Sequence, residues 1–197
     1  IDDLYEYCKE FGIQSDGGEA DDYCGIAAEL ALQDNKRYIV CHIDKDLDCI
    51  PGWHYNFRKD TLYYVEPEDG YRFLMMQILT GDATDNIQGL RGVGPKTAEK
   101  LINGVPNNLL WSKVIDIWKE KCGDNWEPFF LKCANCIYIR ESDEDLKPLS
   151  FEELKERLSW KTTDTGLPSQ TDQTTPSDSS MQSLDQLEDN TSEESNL

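Results

Sequence analysis

Positive charge is scarce in this sequence. Its 197 residues hold 19 Lys and Arg against 39 Asp and Glu, which gives a formal net charge of −20. A chain of this charge does not wrap nucleic acid by bulk positive potential, so any phosphate contact must be local or bridged by metal cations. Long apolar runs are lacking too, because no stretch reaches the roughly 18 residues of a membrane span. We therefore predict a protein that makes no membrane contact.

The N-terminus and the cysteines both indicate a cytoplasmic protein. The opening IDDLYEYC has neither the basic nor the apolar region of a signal peptide. The seven cysteines are odd in number and lie mostly in apolar runs, so we expect reduced thiols that pack as small hydrophobic side chains. Cys133 and Cys136 form a CxxC, but no second pair completes four zinc ligands, which favours packing.

Composition and periodicity divide the chain into three parts. Residues 1–66 predict an α/β layer with helices at 2–11 and 19–33, a strand at 38–43 covered on both faces, and a hairpin of strands at 53–57 and 61–65. Residues 67–160 predict helices at 71–80, 96–102, 108–121, 126–140 and 151–160. Residues 161–197 lack aromatic side chains and are rich in Ser, Thr, Gln and Asp, which is typical of a disordered acidic tail.

Three clusters of acidic residues lie at the ends of predicted elements. They are Glu19, Asp21 and Asp22 at the start of a helix, Asp44, Asp46 and Asp48 after the strand, and Asp82 and Asp85 after a helix. Singly, each could be a helix cap, a solvated loop or a turn. Ligand sites in open α/β sheets lie beyond the carboxyl ends of strands, and crowded carboxylates repel one another unless hard cations bind. Two Mg²⁺ ions about 4 Å apart suit attack on a phosphodiester.

A glycine-rich connection at residues 89–97 is the second signal. It reads GLRGVGPKT, with Pro95 suited to the first position of a helix that bears Lys96 and Lys100. Glycines let a backbone approach a phosphate closely, and such contacts ignore base identity. A purely structural connection is an equally open reading. A P-loop is disfavoured because Pro95 separates the last Gly from Lys96, and an EF-hand at 44–55 because Cys49 and Tyr55 replace its Gly and Glu.

Four motifs in this order resemble the signature of the flap endonuclease and 5′-3′ exonuclease family. They are EADD at 19–22, DKD at 44–46, GDATDNI at 81–87 and GLRGVGPKTA at 89–98. The family includes the 5′-nuclease domain of bacterial DNA polymerase I and free-standing phage exonucleases, and the resemblance covers about residues 13–104. It implies a PIN-like α/β core with a mostly parallel sheet within 1–66. A helical region at 67–160 would follow, containing a helix-hairpin-helix at about 73–103.

The resemblance also implies the site residues and cofactors. Metal ligands would be Glu19, Asp21 and Asp22 at a first site, with Asp44, Asp46, Asp82 and Asp85 at or beside a second site and also catalytic. DNA-binding residues would be Gly89, Arg91, Gly92, Val93, Gly94, Lys96, Thr97 and Lys100. The implied cofactors are two Mg²⁺ ions, for which Mn²⁺ substitutes, and a K⁺ at the helix-hairpin-helix. Asp48 matches no ligand of the family pattern.

The implied function is metal-dependent hydrolysis of DNA by a structure-dependent, sequence-nonspecific 5′-3′ exonuclease or flap endonuclease of replication or repair. RNA in hybrids is a further candidate substrate. The expected partners are branched or duplex DNA with a 5′ end, and replication proteins reached through the acidic tail. The complete protein is expected to be a bacterial or phage-encoded monomer. Two alternatives stay open: a non-catalytic helix-hairpin-helix DNA-binding module, and a structural partner of a replication protein.

The family pattern starts with elements that do not precede Ile1 in this sequence. In the family, a first strand carries a further Asp ligand, and a cationic arch follows it. We therefore expect that the sequence begins in mid-protein, or that a separate chain supplies these parts. The 197 residues alone are then expected to cut DNA slowly or not at all. The strand at 38–43 would also have an unpaired edge, which favours association and lowers stability.

Overall fold

The computed structural model describes residues 18–142 and 147–160. The helix predicted at 2–11 and the tail predicted at 161–197 lie outside these residues. We call residues 18–66 the sheet part, and residues 67–142 with 147–160 the helical part. None of the helices in these ranges is both long and apolar enough to cross a membrane.

The sheet part consists of one helix and a three-stranded sheet. Helix α1 spans Ala20–Gln33 and has Glu19 as its N-cap. Strands β1, β2 and β3 span Ile39–His42, Gly52–Asn56 and Thr61–Val65. Strands β1 and β2 are parallel, and β2 and β3 form the predicted antiparallel hairpin. The α/β class is therefore confirmed, but the described sheet is mixed rather than mostly parallel.

Strand β1 is buried on one face only. Val40 packs with Ala28 of α1 and with Leu47, which together cover that face. Ile39 and Cys41 lie on the other face and are exposed, Ile39 by 46%. The expectation of a strand covered on both faces is therefore wrong for the described residues, because only one layer packs on it. An apolar run specifies a strand but does not specify how many layers cover it.

A short 3₁₀ helix connects β1 to β2. It spans Lys45–Cys49 and is capped by Asp44, whose carboxylate accepts a hydrogen bond from the Asp46 N–H at 3.0 Å. Connections between parallel strands usually take about a dozen residues or more and form an α-helix. The tighter connection here places three acidic side chains, those of Asp44, Asp46 and Asp48, just beyond the carboxyl end of β1.

The helical part begins with a long helix and a short ribbon. Helix α2 spans Pro67–Thr80, and strands β4 (Gly81–Asp82) and β5 (Ile87–Gln88) pair antiparallel after it. Helices α3 to α6 follow at Pro95–Ile102, Asn107–Cys122, Trp126–Ile137 and Phe151–Leu158, with a 3₁₀ turn at Gly123–Asn125. The five predicted helices are confirmed with shifted ends. Helix α2 begins at Pro67 rather than at residue 71, because the fixed φ of proline suits a first turn.

The main hydrophobic core lies in the helical part. Met75 and Ile78 of α2 are fully buried in the same cluster as Trp118 and Phe130, whose rings meet edge to face 5.7 Å apart. Each such side chain contributes about 1.5–3 kcal/mol by burial. Cys133 belongs to this cluster, which agrees with packing, whereas Cys136 is exposed. All six cysteines in the described ranges are free thiols, as expected.

Two glycines hold the β4–β5 ribbon against the end of α2. Gly81 ends the helix with φ at 67°, a left-handed conformation that favours glycine. A Cβ on Gly81 would lie 2.3 Å from the Gly89 nitrogen, and one on Gly89 would lie 2.2 Å from the Thr80 carbonyl carbon. Neither site has room for a side chain. This backbone contact fixes the position of Asp82, which follows Gly81 directly.

Candidate functional site

Three carboxylates from distant parts of the sequence meet in one cluster. Asp46 comes from the 3₁₀ helix of the sheet part, Asp82 from β4, and Asp85 from the turn between β4 and β5. One ligand oxygen from each lies within 4.8 Å of the others, so the group could hold a metal ion. Asp82 is only 5% exposed, whereas Asp85 is open to solvent. We call these three residues the carboxylate cluster.

Hydrogen bonds from neighbouring side chains fix two members of the carboxylate cluster. The Lys45 ammonium lies 3.0 Å from Asp46 Oδ1 and also contacts Asp82 Oδ2. Gln77 of α2 donates to Asp46 Oδ1 at 2.6 Å, and the Thr84 N–H donates to Asp82 Oδ1 at 2.6 Å. Lys45 therefore joins the two parts of the molecule and offsets some of the cluster's charge.

The protonation state of Asp82 follows from these contacts. The hydrogen bond from Lys45 lowers the pKa of Asp82 below its usual value, and the Thr84 N–H acts in the same direction against the opposing effect of burial. The same hydrogen bond raises the pKa of Lys45. Asp82 is therefore an ionised carboxylate at neutral pH, the form in which a carboxylate binds a cation.

Asp21 shows the opposite effect. Burial raises its pKa, and the charges of four other acidic residues raise it further, namely Asp44, Glu19, Asp46 and Asp22. The first and second predicted acidic clusters therefore lie close enough to repel each other. A bound cation would relieve this repulsion, since opposite charge favours the ionised form.

An open cleft of about 460 Å³ lies beside the carboxylate cluster. Its lining includes five of the predicted metal ligands, Glu19, Asp21, Asp22, Asp46 and Asp85. The other two are Asp82, which is buried, and Asp44, whose carboxylate caps the 3₁₀ helix. Five of the seven predicted ligands therefore line one cleft, and Asp44 also forms a capping hydrogen bond within its own segment.

Asp22 pairs with an arginine, whereas Asp46 and Asp82 pair with Lys45. It is buried, accepts a hydrogen bond from the Arg140 N–H at 3.0 Å, and lies 3.5 Å from the Arg140 guanidinium. This contact ties α1 to the segment after α5. Asp22 therefore has a structural role in addition to its place in the cleft lining.

The glycine-rich connection leads into α3 in the predicted way, with Pro95 in the first turn and Gly94 as N-cap. Exposed basic side chains lie along it, those of Arg91, Lys96 and Lys100. Gly92 has φ at 78°. A Cβ atom added to Gly92 or to Gly94 would meet no atom of the rest of the protein within 4 Å. The backbone at these two glycines is therefore open to a close approach from outside.

Two of the predicted DNA-binding residues face inward. The Val93 side chain is buried in the main core, and its N–H donates to the Leu90 carbonyl at 3.0 Å. Gly89 packs against the end of α2, as described above. Thr97 is exposed on the first turn of α3, next to Lys96. A phosphate would therefore meet residues 91, 92, 94, 96, 97 and 100 rather than 89 and 93.

Sequence reasoning did not single out Lys45, Gln77 or Arg140 as parts of the site. Lys45 carries a signal, since a basic residue between two aspartates is placed to pair with them. Gln77 and Arg140 carry none, because they reach Asp46 and Asp22 only through the tertiary fold. Arg72 was also missed: it donates to the Ile102 carbonyl at 2.8 Å and so fixes the end of α3.

Sequence comparison finds relatives among nucleases and polymerases, although no family model matches the chain. Over 123 residues the chain is 36% identical to a 5′-3′ exonuclease of Buchnera aphidicola, covering 54% of this chain and 42% of that protein. Over 102 residues it is 33% identical to DNA polymerase I of Rhizobium leguminosarum, covering 46% of this chain and 10% of that protein. The chain therefore spans less than half the length of these relatives.

Solved structures of T5 5′-exonuclease share the fold. One aligns with a TM-score of 0.52 and 22% identity over 69% of this chain and 62% of that one. Another, which has zinc ions bound, aligns with the same TM-score over 69% of this chain and 56% of that one. These likenesses concern the architecture alone. With residues of three of its motifs lining one acidic cleft, the chain is similar in sequence and in fold to the 5′-3′ exonuclease and flap endonuclease family.

Proposed function

We propose that the complete protein, to which this chain contributes the carboxylate cluster, hydrolyses DNA phosphodiesters from a 5′ end, as a metal-dependent 5′-3′ exonuclease or flap endonuclease of replication or repair. The observation that carries the proposal is the carboxylate cluster, in which Asp46, Asp82 and Asp85 bring three ligand oxygens within 4.8 Å of one another. The similarity to a 5′-3′ exonuclease gives this cluster a chemical context. RNA in hybrids is a further proposed substrate.

The donor set fits Mg²⁺, because all three groups are hard carboxylate oxygens, and Mn²⁺ should substitute. Asp46, Asp82 and Asp85 would hold one ion. The cleft side with Glu19, Asp21 and Asp22 would hold a second, near Asp44. When bound, such ions polarise the phosphodiester and lower the pKa of water.

The chain's own residues position the metal ligands. Gln77 orients the Asp46 carboxylate, and the Thr84 N–H orients that of Asp82. Lys45 keeps Asp82 ionised. Its side chain is 59% exposed, so it can turn toward a phosphate oxygen when a cation takes over the charge of the aspartates.

We propose that residues 89–100 grip the duplex away from the cleavage point. Arg91, Lys96 and Lys100 supply local positive charge, and the open backbone at Gly92 and Gly94 supplies close approach. Such contacts read phosphates and not bases, so binding would be insensitive to sequence. We further propose that a K⁺ binds at this connection and that the complete protein is a monomer. Residues 161–197 would contact replication proteins.

A cleavage and binding experiment on separate variants tests the proposal. Asp82→Asn should lower the single-turnover rate on a 5′-flap substrate in Mg²⁺ by at least about 100-fold, because a metal ion provides several kcal/mol of transition-state stabilisation. Its DNA affinity, measured in Ca²⁺, should change little. Lys96→Gln with Lys100→Gln should weaken binding equally for all sequences and flatten its salt dependence.

Three outcomes would count against the proposal. Wild-type turnover in Asp82→Asn at saturating Mg²⁺ would remove Asp82 from the site. Duplex binding without any Mg²⁺-dependent cleavage by the complete protein, even with enzyme in excess, would favour the non-catalytic DNA-binding module. A sequence-selective loss of binding in the lysine variant would show that the connection reads bases.

A further inference from the structure

A second group of metal-binding side chains lies beside the carboxylate cluster but shares no residue with it. His42 ends β1, Asp48 lies in the 3₁₀ helix, and His54 lies in β2. The His42 Nε2 atom is 2.7 Å from His54 Nδ1. Asp48 Oδ1 is 3.8 Å from the first nitrogen and 3.9 Å from the second. Both histidines are buried, and His54 is fully inaccessible.

Each histidine has one ring nitrogen that faces the other histidine, here called the inner nitrogen, and one that faces away, the outer nitrogen. The protonation of the outer nitrogens determines whether the inner nitrogens, His42 Nε2 and His54 Nδ1, carry protons. His42 Nδ1 contacts the Asp44 carbonyl oxygen, and His54 Nε2 lies 2.8 Å from the Ile50 carbonyl oxygen. A carbonyl only accepts hydrogen bonds, so each outer nitrogen carries a proton. In two neutral imidazoles neither inner nitrogen then carries a proton, and the Tyr63 hydroxyl, 3.2 Å from His42 Nε2, donates to Asp48 Oδ1 at 2.6 Å instead. Two lone pairs facing each other at 2.7 Å repel unless a cation lies between them.

The three inner atoms surround a point that lies at metal–ligand distance from each of them. A tetrahedral ion would also need the two nitrogens, now 2.7 Å apart, to separate to about 3.3 Å, the spacing that bonds of about 2.0 Å impose. The point equidistant from His42 Nε2, His54 Nδ1 and Asp48 Oδ1 lies about 2.1 Å from each, given their separations of 2.7, 3.8 and 3.9 Å. Bonds from Zn²⁺ to imidazole nitrogen and carboxylate oxygen are about 2.0–2.2 Å long. Ligand histidines usually donate their other N–H to a carbonyl or carboxylate, as both histidines do here.

We propose that His42, His54 and Asp48 form a binding site for one transition-metal ion of the Zn²⁺ type, separate from the carboxylate cluster. Imidazole with one carboxylate suits Zn²⁺ and Co²⁺, whereas Mg²⁺ prefers oxygen alone. Tyr63 orients the carboxylate by donating to Asp48 Oδ1 at 2.6 Å, and its ring stacks on His54.

The ion has a structural role in this proposal. It joins the end of β1, the 3₁₀ helix and β2, which are three neighbouring but separate segments. Asp44 and Asp46 lie between two of its ligands in the chain. The ion therefore fixes the segment that carries these two proposed catalytic residues without contacting substrate itself.

A proton shared by the two inner nitrogens is the competing explanation. It would satisfy both lone pairs and give the pair one positive charge, with Asp48 as counter-ion. A shared proton needs only the two nitrogens, however, and does not require a carboxylate oxygen nearly equidistant from both. The experiment must therefore separate a metal from a proton.

Visible absorption of Co²⁺ provides the test. The full chain is saturated with Mg²⁺, which occupies oxygen sites, and is then titrated with Co²⁺ and afterwards with Zn²⁺. We expect the intense visible bands of four-coordinate Co²⁺ at one ion per chain, displaced by Zn²⁺. Asp48→Asn and His54→Gln should abolish the bands, whereas Asp82→Asn and Asp46→Asn, the matched controls, should keep them. Tyr63→Phe should raise the dissociation constant of Co²⁺ about tenfold.

Each contrary result overturns the proposal. Full bands in Asp48→Asn, or bands lost in Asp82→Asn and kept in Asp48→Asn, would place the ion elsewhere. No band in the wild-type chain, with circular dichroism showing a folded protein, would leave the shared proton as the explanation. The Asp48 side chain is 35% exposed, so Asp48→Asn keeps the test valid if substitution of the buried His54 prevents folding.

Discussion

The sheet part and the helical part differ in how completely they bury their apolar side chains. In the sheet part the buried cluster is small, consisting of Ala28, Val40, Leu47 and Ile50. The helical part has a far larger cluster that extends from α2 to α6. Large apolar side chains are also exposed more often on the sheet part, at Leu30, Ile39, Ile43, Phe57 and Leu62, than on the helical part, at Leu109 and Phe129.

Most of the buried apolar core lies in the helical part, whereas the carboxylate cluster takes residues from both parts. The helical part carries most of the buried apolar area, which is the main source of stability. The carboxylate cluster spans both parts, since Asp46 belongs to one part and Asp82 to the other. Lys45 and Gln77 each contact a cluster residue across this boundary. The site therefore depends on how firmly the smaller core is held to the larger one.

The same substitution in each core measures the difference directly. Leu110→Ala, at a fully buried position of the helical part, should lower the free energy of unfolding by about 4–5 kcal/mol. Leu47→Ala in the sheet part should cost about 2–3 kcal/mol, because its small, partly open surroundings can close around the cavity. Urea unfolding of both variants measures the two values. An equal or larger loss for Leu47→Ala would show that the small core is the tighter one.

A metal ion should couple the two parts. Binding of Mg²⁺ to the native state alone should raise the melting temperature, with a stabilisation of about 2.7 kcal/mol at a concentration 100 times the dissociation constant. Asp46→Asn and Asp82→Asn should each remove most of this shift, although they lie in different parts. Thermal melts at matched ionic strength provide the measurement. A shift that survives in either variant would separate that residue from the metal.

Two carboxylates of the site should respond to pH in opposite ways. The pKa of Asp82 is lowered, so its charged form stabilises the fold above about pH 4, and this contribution is lost as pH falls through the folded-state pKa. The pKa of Asp21 is raised, so its ionisation opposes folding at neutral pH. At pH 7, Asp82→Asn should cost about 1 kcal/mol and Asp21→Asn should add about 0.5 kcal/mol.

Urea unfolding of these two variants at pH 7 and pH 3 tests the signs. The stabilisation by Asp21→Asn should be small at pH 3, where the native carboxyl group is protonated already. The cost of Asp82→Asn should fall only in part at pH 3, because the lowered pKa keeps the native carboxylate charged while the carboxyl group of the unfolded chain becomes protonated. Stabilisation by Asp82→Asn at pH 7 would show that Lys45 does not offset the charge of Asp82 in solution.

The sequence predicted the elements well because their signals are local. The helices at 67–160 repeat apolar residues with the helical period, and Pro67 and Pro95 mark two starts. The hairpin at 52–65 was equally clear from its aromatic runs. The face of β1 that packs against the core was not predictable, because both faces of the strand carry apolar side chains, Val40 on one and Ile39 and Cys41 on the other. Only the tertiary fold determines which face is buried.

The site was predictable in its residue types but not in its contacts. The ordered acidic motifs pointed to one cleft, and five of those residues line it. The contacts of Asp22 with Arg140 and of Asp46 with Gln77 join residues far apart in the chain. The His42 and His54 pair was equally hidden, because the two residues lie on neighbouring strands and only the fold brings them together.

The backbone contact between Gly81 and Gly89 has a consequence for engineering this protein. Since any side chain at either position would collide with main-chain atoms, the two sites form a fixed frame that a mutagenesis library should recover only as glycine. Exposed positions inside the frame, such as Ala83, have no such restriction. Ala83 can therefore be varied while the two glycines keep Asp82 in place, whereas Asp85 in the same turn belongs to the carboxylate cluster and has to be kept.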